Sequence, residues 1–285
     1  MYYGLIMLST LIFSGCFWFK DIYREQKGSS FKASFEFSFY SGIAGFLALL
    51  IINKFSFEFS PFTFIIAMIA AVNGLLFTIC SFKALDKINL SVYSVFSMLG
   101  GMALPFAIGI IFYNEAMTLS KGLCFVCILI AILFTLQKGE SKKGTKYYLG
   151  VFVLNGMSGV LTKIFTAADY TKTSPAGYSI LTSVCSIALS AIMLFIISRK
   201  EKLPKTNSKV VFACLGSGIA NRLANYILVA ALLFVDASVQ YPMVTGGVMI
   251  ISTLICLFTG KKVSKCEMLS VLISFIGLMC LFLIK

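Results

Sequence analysis

In a chain of 285 residues that is 59% hydrophobic and 12% charged, no polar break is long enough to hold a soluble domain, so the bilayer is the solvent to reason with. A net charge of +13 raises the question of nucleic acid, but the basic residues are scattered over many breaks and form no contiguous basic and aromatic face, which argues against that partner. The absence of histidine removes the commonest metal ligand and the commonest neutral-pH proton carrier; nothing calls for a cofactor, and an integral-membrane enzyme lacks the clustered acid–base groups it would need.

A helix needs about 20 mainly apolar residues to cross roughly 30 Å of hydrocarbon. Ten stretches approach or meet that length, at 2–19, 34–53, 61–82, 88–112, 119–137, 147–167, 175–198, 208–231, 235–259 and 266–284. The first has no positive charge in Met1-Tyr2-Tyr3-Gly4, so it reads as a span rather than a cleavable signal, despite a lipoprotein-like Phe13-Ser14-Gly15-Cys16. Trp18 and Tyr23 follow where interfacial anchors belong. In the second, Leu47 to Ile52 is apolar on every side, which a barrel strand would not be. The third carries Asn73, and the fourth a stripe of Tyr93, Ser97, Gly100 and Gly101 before Pro105. The fifth holds Cys124 and Cys127 in surroundings too apolar to make thiolates, so neither a disulfide framework nor a zinc site is expected.

A basic linker, 138–146, leads to the sixth stretch, with Asn155, Gly159, Thr162 and Lys163. Lys163 lies near the end of its span, where a long side chain reaches the interface, while its match to Lys20 in the internal repeat gives both a gating or substrate role as the alternative. The eighth contains Arg222 about nine residues, or roughly 14 Å, from its nearer end. The ninth carries Gln240, Tyr241 and Thr245, with Pro242 placed to interrupt the helix.

Of the 24 Lys and Arg residues, 18 fall in the breaks after stretches 1, 3, 5, 7 and 9, and four, Lys54, Lys121, Lys172 and Lys285, on the other side. The positive-inside rule then places the odd-numbered breaks in the cytoplasm and both chain ends outside.

The chain also repeats itself. A shift of 146 residues lays Gly100-Gly101 on Gly246-Gly247 and Tyr113-Asn114-Glu115 on Thr259-Gly260-Lys261, and a shift of 143 lays Lys20 on Lys163. Halves of five spans, 1–137 and 147–285, enter the membrane in opposite senses because five is odd, giving an all-α membrane protein of ten transmembrane helices in a five-plus-five inverted repeat.

That layout, together with the stretch from Ala84 to Leu136 in which small residues and Pro105 precede Asn114-Glu115, resembles the drug/metabolite transporter superfamily, in particular its ten-helix EamA-type members. The resemblance implies a cell-membrane, multi-pass transporter, more often an exporter, with both chain ends in the cytoplasm; the loop charges favour the opposite orientation. Lys261-Lys262 stands near the position corresponding to Glu115.

A charge inside a membrane costs at least about 2.5 kcal/mol and faces a bundle interior or a wet cavity. Helical spacing sets Gly218, Asn221, Arg222, Asn225 and Tyr226 on one stripe. The architectural alternative pairs Arg222 with a helix carbonyl or with Asp169 or Asp236. Spans four and nine are expected as walls of the site. None of the eleven Asp and Glu lies in the middle third of a span, which disfavours an exporter of lipophilic cations.

The sequence therefore points to a secondary transporter moving a small polar metabolite, an amino acid or other carboxylate, by alternating access. Arg222 would grip the anionic group with paired hydrogen bonds, and Asn221, Asn225, Gln240, Tyr241, Tyr93, Ser97 and Lys163 are the remaining candidate binding residues. An exporter of cationic drugs or amines and a translocator of a lipid-linked amphiphile are the alternatives. A proton or sodium ion as coupling ion, membrane lipid as surroundings and a second copy of the chain as partner stay open.

Overall fold

Apolar segments in lipid have no water to satisfy their backbone N–H and C=O groups, and a helix does so within one segment. The computed structural model describes residues 2–88, 90–113, 117–136, 145–197, 203–204, 206–260 and 265–283. Among them it is all-helical: α1 (Tyr2–Lys27), α2 (Phe31–Ile52), α3 (Pro61–Leu85), α4 (Leu90–Tyr113), α5 (Leu119–Leu136), α6 (Thr145–Ala167), α7 (Pro175–Ile197), α8 (Ser208–Ala231), α9 (Ala237–Phe258) and α10 (Lys265–Leu283). Asn114, Glu115, linker residues 138–144, Lys261 and Lys262 lie outside the described residues.

Seven helices, α1, α2, α3, α4, α6, α7 and α9, are long and apolar enough to cross a membrane. Their outer faces carry large bare hydrophobics, with Phe195 82% and Phe258 88% exposed, a surface that water would not tolerate. This is a multi-pass membrane protein.

The helix ends follow local chemistry. The Ser30 hydroxyl accepts from the Ala33 amide at 3.2 Å and the Asn207 side chain from that of Val210 at 3.0 Å, each satisfying an orphan donor. Pro61 and Pro175 open α3 and α7, where a missing N–H costs nothing.

Three expectations need correction. α1 runs eight residues past the predicted boundary at 19, because Asp21 neutralises Arg24 at 2.7 Å one turn on; it stops at Gly28, whose φ of 81° closes the helix. Tyr23 is accordingly no interfacial anchor: it is fully buried between Phe37 and Phe82. Trp18 packs partly buried against the main core beside Phe19. α9 runs without a break through residue 242, where an interruption was expected.

α1 packs on α8 and α9, and α6 correspondingly on α3 and α4; α2 packs on α8 and α7 on α3; α2 meets α7, α4 meets α9 and α5 meets α10. Each pairing keeps its place when every helix is exchanged for its counterpart five positions away. The crossings are made by glycines. A Cβ on Gly100 would overlap the Phe152 carbonyl of α6, and one on Gly218 the Ser41 carbonyl of α2, so α4–α6 and α2–α8 approach backbone to backbone.

Gly100→Ala and Gly218→Ala should therefore each lower stability by about 1–3 kcal/mol, since the obstructing atoms are backbone. Gly15→Ala, with nothing within 4 Å of the new methyl, should be neutral or stabilising by up to about 1 kcal/mol. Thermal unfolding in detergent reads the contrast.

Candidate functional site

A cavity of about 230 Å³ is lined by α1, α2, α3, α4, α6, α7, α8 and α9. α8 supplies Arg222 together with Asn221 and Asn225, the latter pair linked by Asn225 donating to the Asn221 carbonyl at 2.8 Å. Gly45 makes room for the arginine stem, because a Cβ there would overlap the Arg222 Cγ. No hydrogen bond or ion pair joins Arg222 to another described residue, and Asp169 and Asp236, proposed as architectural partners, form no ion pair with it. Among the described residues no Asp or Glu lines the cavity.

Gln240 and Tyr241 bring α9 to the wall. Gln240 is 2% exposed; its amide nitrogen donates to the Leu228 carbonyl at 3.0 Å, while its side-chain oxygen has no partner among the described residues. The Tyr241 hydroxyl donates to the Gly159 carbonyl at 3.0 Å. Of the eight candidates read from the sequence, these five, Arg222, Asn221, Asn225, Gln240 and Tyr241, share the cavity.

The other three do not line it. Tyr93 is fully buried, its hydroxyl donating to Ser81 at 2.7 Å and its ring edge-on to Phe17 at 5.4 Å. Ser97 is equally buried, with its carbonyl accepting from Asn155 at 2.6 Å. Lys163 holds its ammonium 5.2 Å from the Tyr113 ring centroid on α4. Of the two spans expected as walls, α9 contributes Gln240, Tyr241, Val244 and Thr245, whereas from α4, among the described residues, only Met98 and Gly101 reach the cavity. Tyr226 is absent from the lining, and Asn73, although present in it, donates to the Leu154 carbonyl of α6 at 2.8 Å rather than facing α8.

Sequence reading gave Lys20 a role only through its match to Lys163, and missed a set of hydroxyls. Lys20 lines the cavity, 8% exposed, its ammonium 4.6 Å from the Phe77 ring centroid; just past the boundary drawn at 19, it was also counted among the loop cations. Hydroxyls at helical spacing, Ser38 and Ser41 on α2 and Ser179, Thr182 and Ser186 on α7, also reach it. Their 3–4-residue recurrence on otherwise apolar helices was a readable signal.

Apolar clusters lie across the two ends. At one, Tyr23, Phe37 and Phe82 pack with Val210, Ala213 and Cys214. Beyond them Lys27 pairs with Glu36 at 2.9 Å and donates to the Pro204 carbonyl at 2.8 Å and the Thr206 hydroxyl at 3.0 Å. At the other, Ile66, Leu161, Phe165, Tyr178 and Val229 pack together, with Phe165 stacked on Tyr178 at 4.4 Å. Beyond these, Ser174 donates through its amide and hydroxyl to Glu58 at 2.6 and 2.8 Å. The first cluster draws on α1, α2, α3 and α8, and the second on their counterparts α6, α7, α8 and α3.

Lys27→Ala strands Glu36, which is 16% exposed, and should cost about 3–5 kcal/mol. The double variant Lys27→Ala/Glu36→Ala should recover part of that loss in the same unfolding measurement.

The chain is similar to a solved structure described only as a crystal structure of a protein, with a TM-score of 0.68 at 12% identity over 97% of this chain and 99% of that one. At that identity the likeness speaks for the fold alone. No family model matches the chain, and no curated protein matches it.

Proposed function

We propose that all ten helices cross the cell membrane as two five-helix units of opposite sense, 1–137 and 147–285, joined by the linker 138–146, and that the protein is a secondary transporter of a small anionic metabolite, an amino acid or other carboxylate. The pairing of α1 with α8 against α6 with α3, and of Gly101 beside Asn155 of α6 against Gly247 beside Thr10 of α1, supports the repeat, since an inverted duplication reproduces each contact in the other half. The reading belongs to the drug/metabolite transporter type that the sequence resembles.

The observation that carries the function is Arg222: a guanidinium inside the bundle, open to a cavity shared by both halves and without an acid in its lining. A cation kept in that state has a reason if its counter-charge arrives with the substrate. The neighbouring amides of Asn221, Asn225 and Gln240 can take the ligand's polar groups. Alternating access follows from the two apolar clusters: opening one while the other stays packed exposes the cavity to one face, and exchange of their roles exposes it to the other. Among the described residues no carboxylate lines the cavity to hold a cation, which weighs against a drug or amine exporter. Flux would draw on an ion gradient or on exchange.

The test is the thermal stability of the purified protein against glutamate, short organic acids, sugar phosphates and tetraethylammonium. Binding to the folded state stabilises by about 2.7 kcal/mol at a hundredfold excess over Kd. Anionic or zwitterionic compounds should stabilise the parent and not Arg222→Gln. Stabilisation by tetraethylammonium alone, or an equal response from Arg222→Gln, would make the arginine architectural and the proposal wrong.

A further inference from the structure

The cavity holds a second cation that the reading above does not use. Lys20 is 8% exposed and lines the cavity on α1. Among the described residues no carboxylate pairs with it: Asp21, the next residue, is committed to Arg24 at 2.7 Å, and Glu36 to Lys27 at 2.9 Å. Its ammonium meets the face of Phe77, a contact that solvates an ammonium only in part.

The α1–α8 interface fixes where the two cations stand. The Ser9 hydroxyl donates to the Ala224 carbonyl at 2.9 Å and the Cys16 thiol reaches the Ser217 carbonyl at 3.8 Å, so the helices run antiparallel with Lys20 level with Ala213. That is nine positions from Arg222, or about 13 Å along the axis at 1.5 Å per residue. Side chains lean toward the N-terminus of their own helix. Because the helices are antiparallel, Lys20 leans toward the level of Arg222 and Arg222 toward that of Lys20. Two cations, one on α1 and one on α8, thus lean toward one another within one cavity.

We propose that Lys20 and Arg222 together select a small substrate bearing two separated negative groups, such as a short dicarboxylate, with one group held by each half of the protein. This rests on the reading of the cavity as an anion site and narrows it. A dianion spanning the pair neutralises both cations at once and ties a helix of the first half to one of the second, so that its presence bears on how the halves move. A monoanion leaves one cation unsatisfied in every state. Lys163, which corresponds to Lys20 in the repeat, lies over Tyr113 outside the cavity lining, so the lysine on α1 has no cavity-lining counterpart on α6.

Thermal stabilisation by succinate, glutarate, butyrate and tetraethylammonium would be measured on the full-length protein and on Lys20→Gln, Lys20→Arg and Arg222→Gln, each first checked for a monodisperse, cooperatively unfolding species. A diacid should shift the parent midpoint at concentrations at least tenfold below those butyrate needs. Lys20→Gln should erase that preference while keeping the butyrate response, and Lys20→Arg should restore it. If butyrate matches the diacids in the parent, or Lys20→Gln keeps the preference, the two-cation proposal fails while the Arg222 anion site stands. If no carboxylate stabilises the parent, or tetraethylammonium alone does, both readings fall. Should Lys20→Gln not fold, Lys20→Arg and the parent decide: a parent without diacid preference is sufficient to overturn the proposal.

Discussion

A charged side chain inside an apolar bundle must find water, a counter-ion or an aromatic face, and Arg222 and Lys20 find no acid among the described residues. The rest of the architecture can be read from that constraint. A cavity has to exist where these heads point, so the helices around it carry hydroxyls and amides on their inner faces while their outer faces stay apolar for lipid. Arg222 fits only because α2 presents Gly45 to its stem. The same charge, in a site with no fixed counter-ion, makes an anionic guest the natural complement.

Close packing then has to come from elsewhere, since lipid offers no hydrophobic drive between helices. It comes from glycines that let α4 lie on α6 and α2 on α8 with backbones touching. Around these crossings the two ends of the cavity are covered by apolar clusters drawn from corresponding helices, each backed by a polar network: Lys27 with Glu36 at one end, Glu58 with Ser174 at the other. Apolar packing of this kind can separate without leaving a buried charge stranded, whereas the ionic backing resists separation until both partners are hydrated.

Helix positions were legible because an apolar run about 20 residues long has few alternatives in lipid, and nine of the ten spans lie within a few residues of the helices. The first did not, for a physical reason: Asp21 and Arg24 compensate one another within α1, so a boundary drawn at the first charge cut the helix short and set Lys20 at its end rather than within the bundle. Arg222, Asn221 and Asn225 were readable because polar residues at helical spacing on one span must share a face. Tyr93 and Ser97 met the same criterion but lie off the cavity, the Tyr93 hydroxyl bonded to Ser81 on α3 and the Ser97 backbone carbonyl to Asn155 on α6; polarity alone does not say which face of a helix meets a ligand. What a one-dimensional pattern could not supply was the register of α1 against α8, and with it the relation between the two cations.

Whether the cavity around Arg222 carries an anion from one face of the membrane to the other is decided by counterflow in proteoliposomes: vesicles loaded with unlabelled succinate or glutamate are diluted into the labelled compound. Label should accumulate transiently above equilibrium with the parent protein, and not in vesicles without internal anion or with Arg222→Gln. Absence of counterflow for both anions, alongside counterflow of labelled tetraethylammonium, would contradict anion transport.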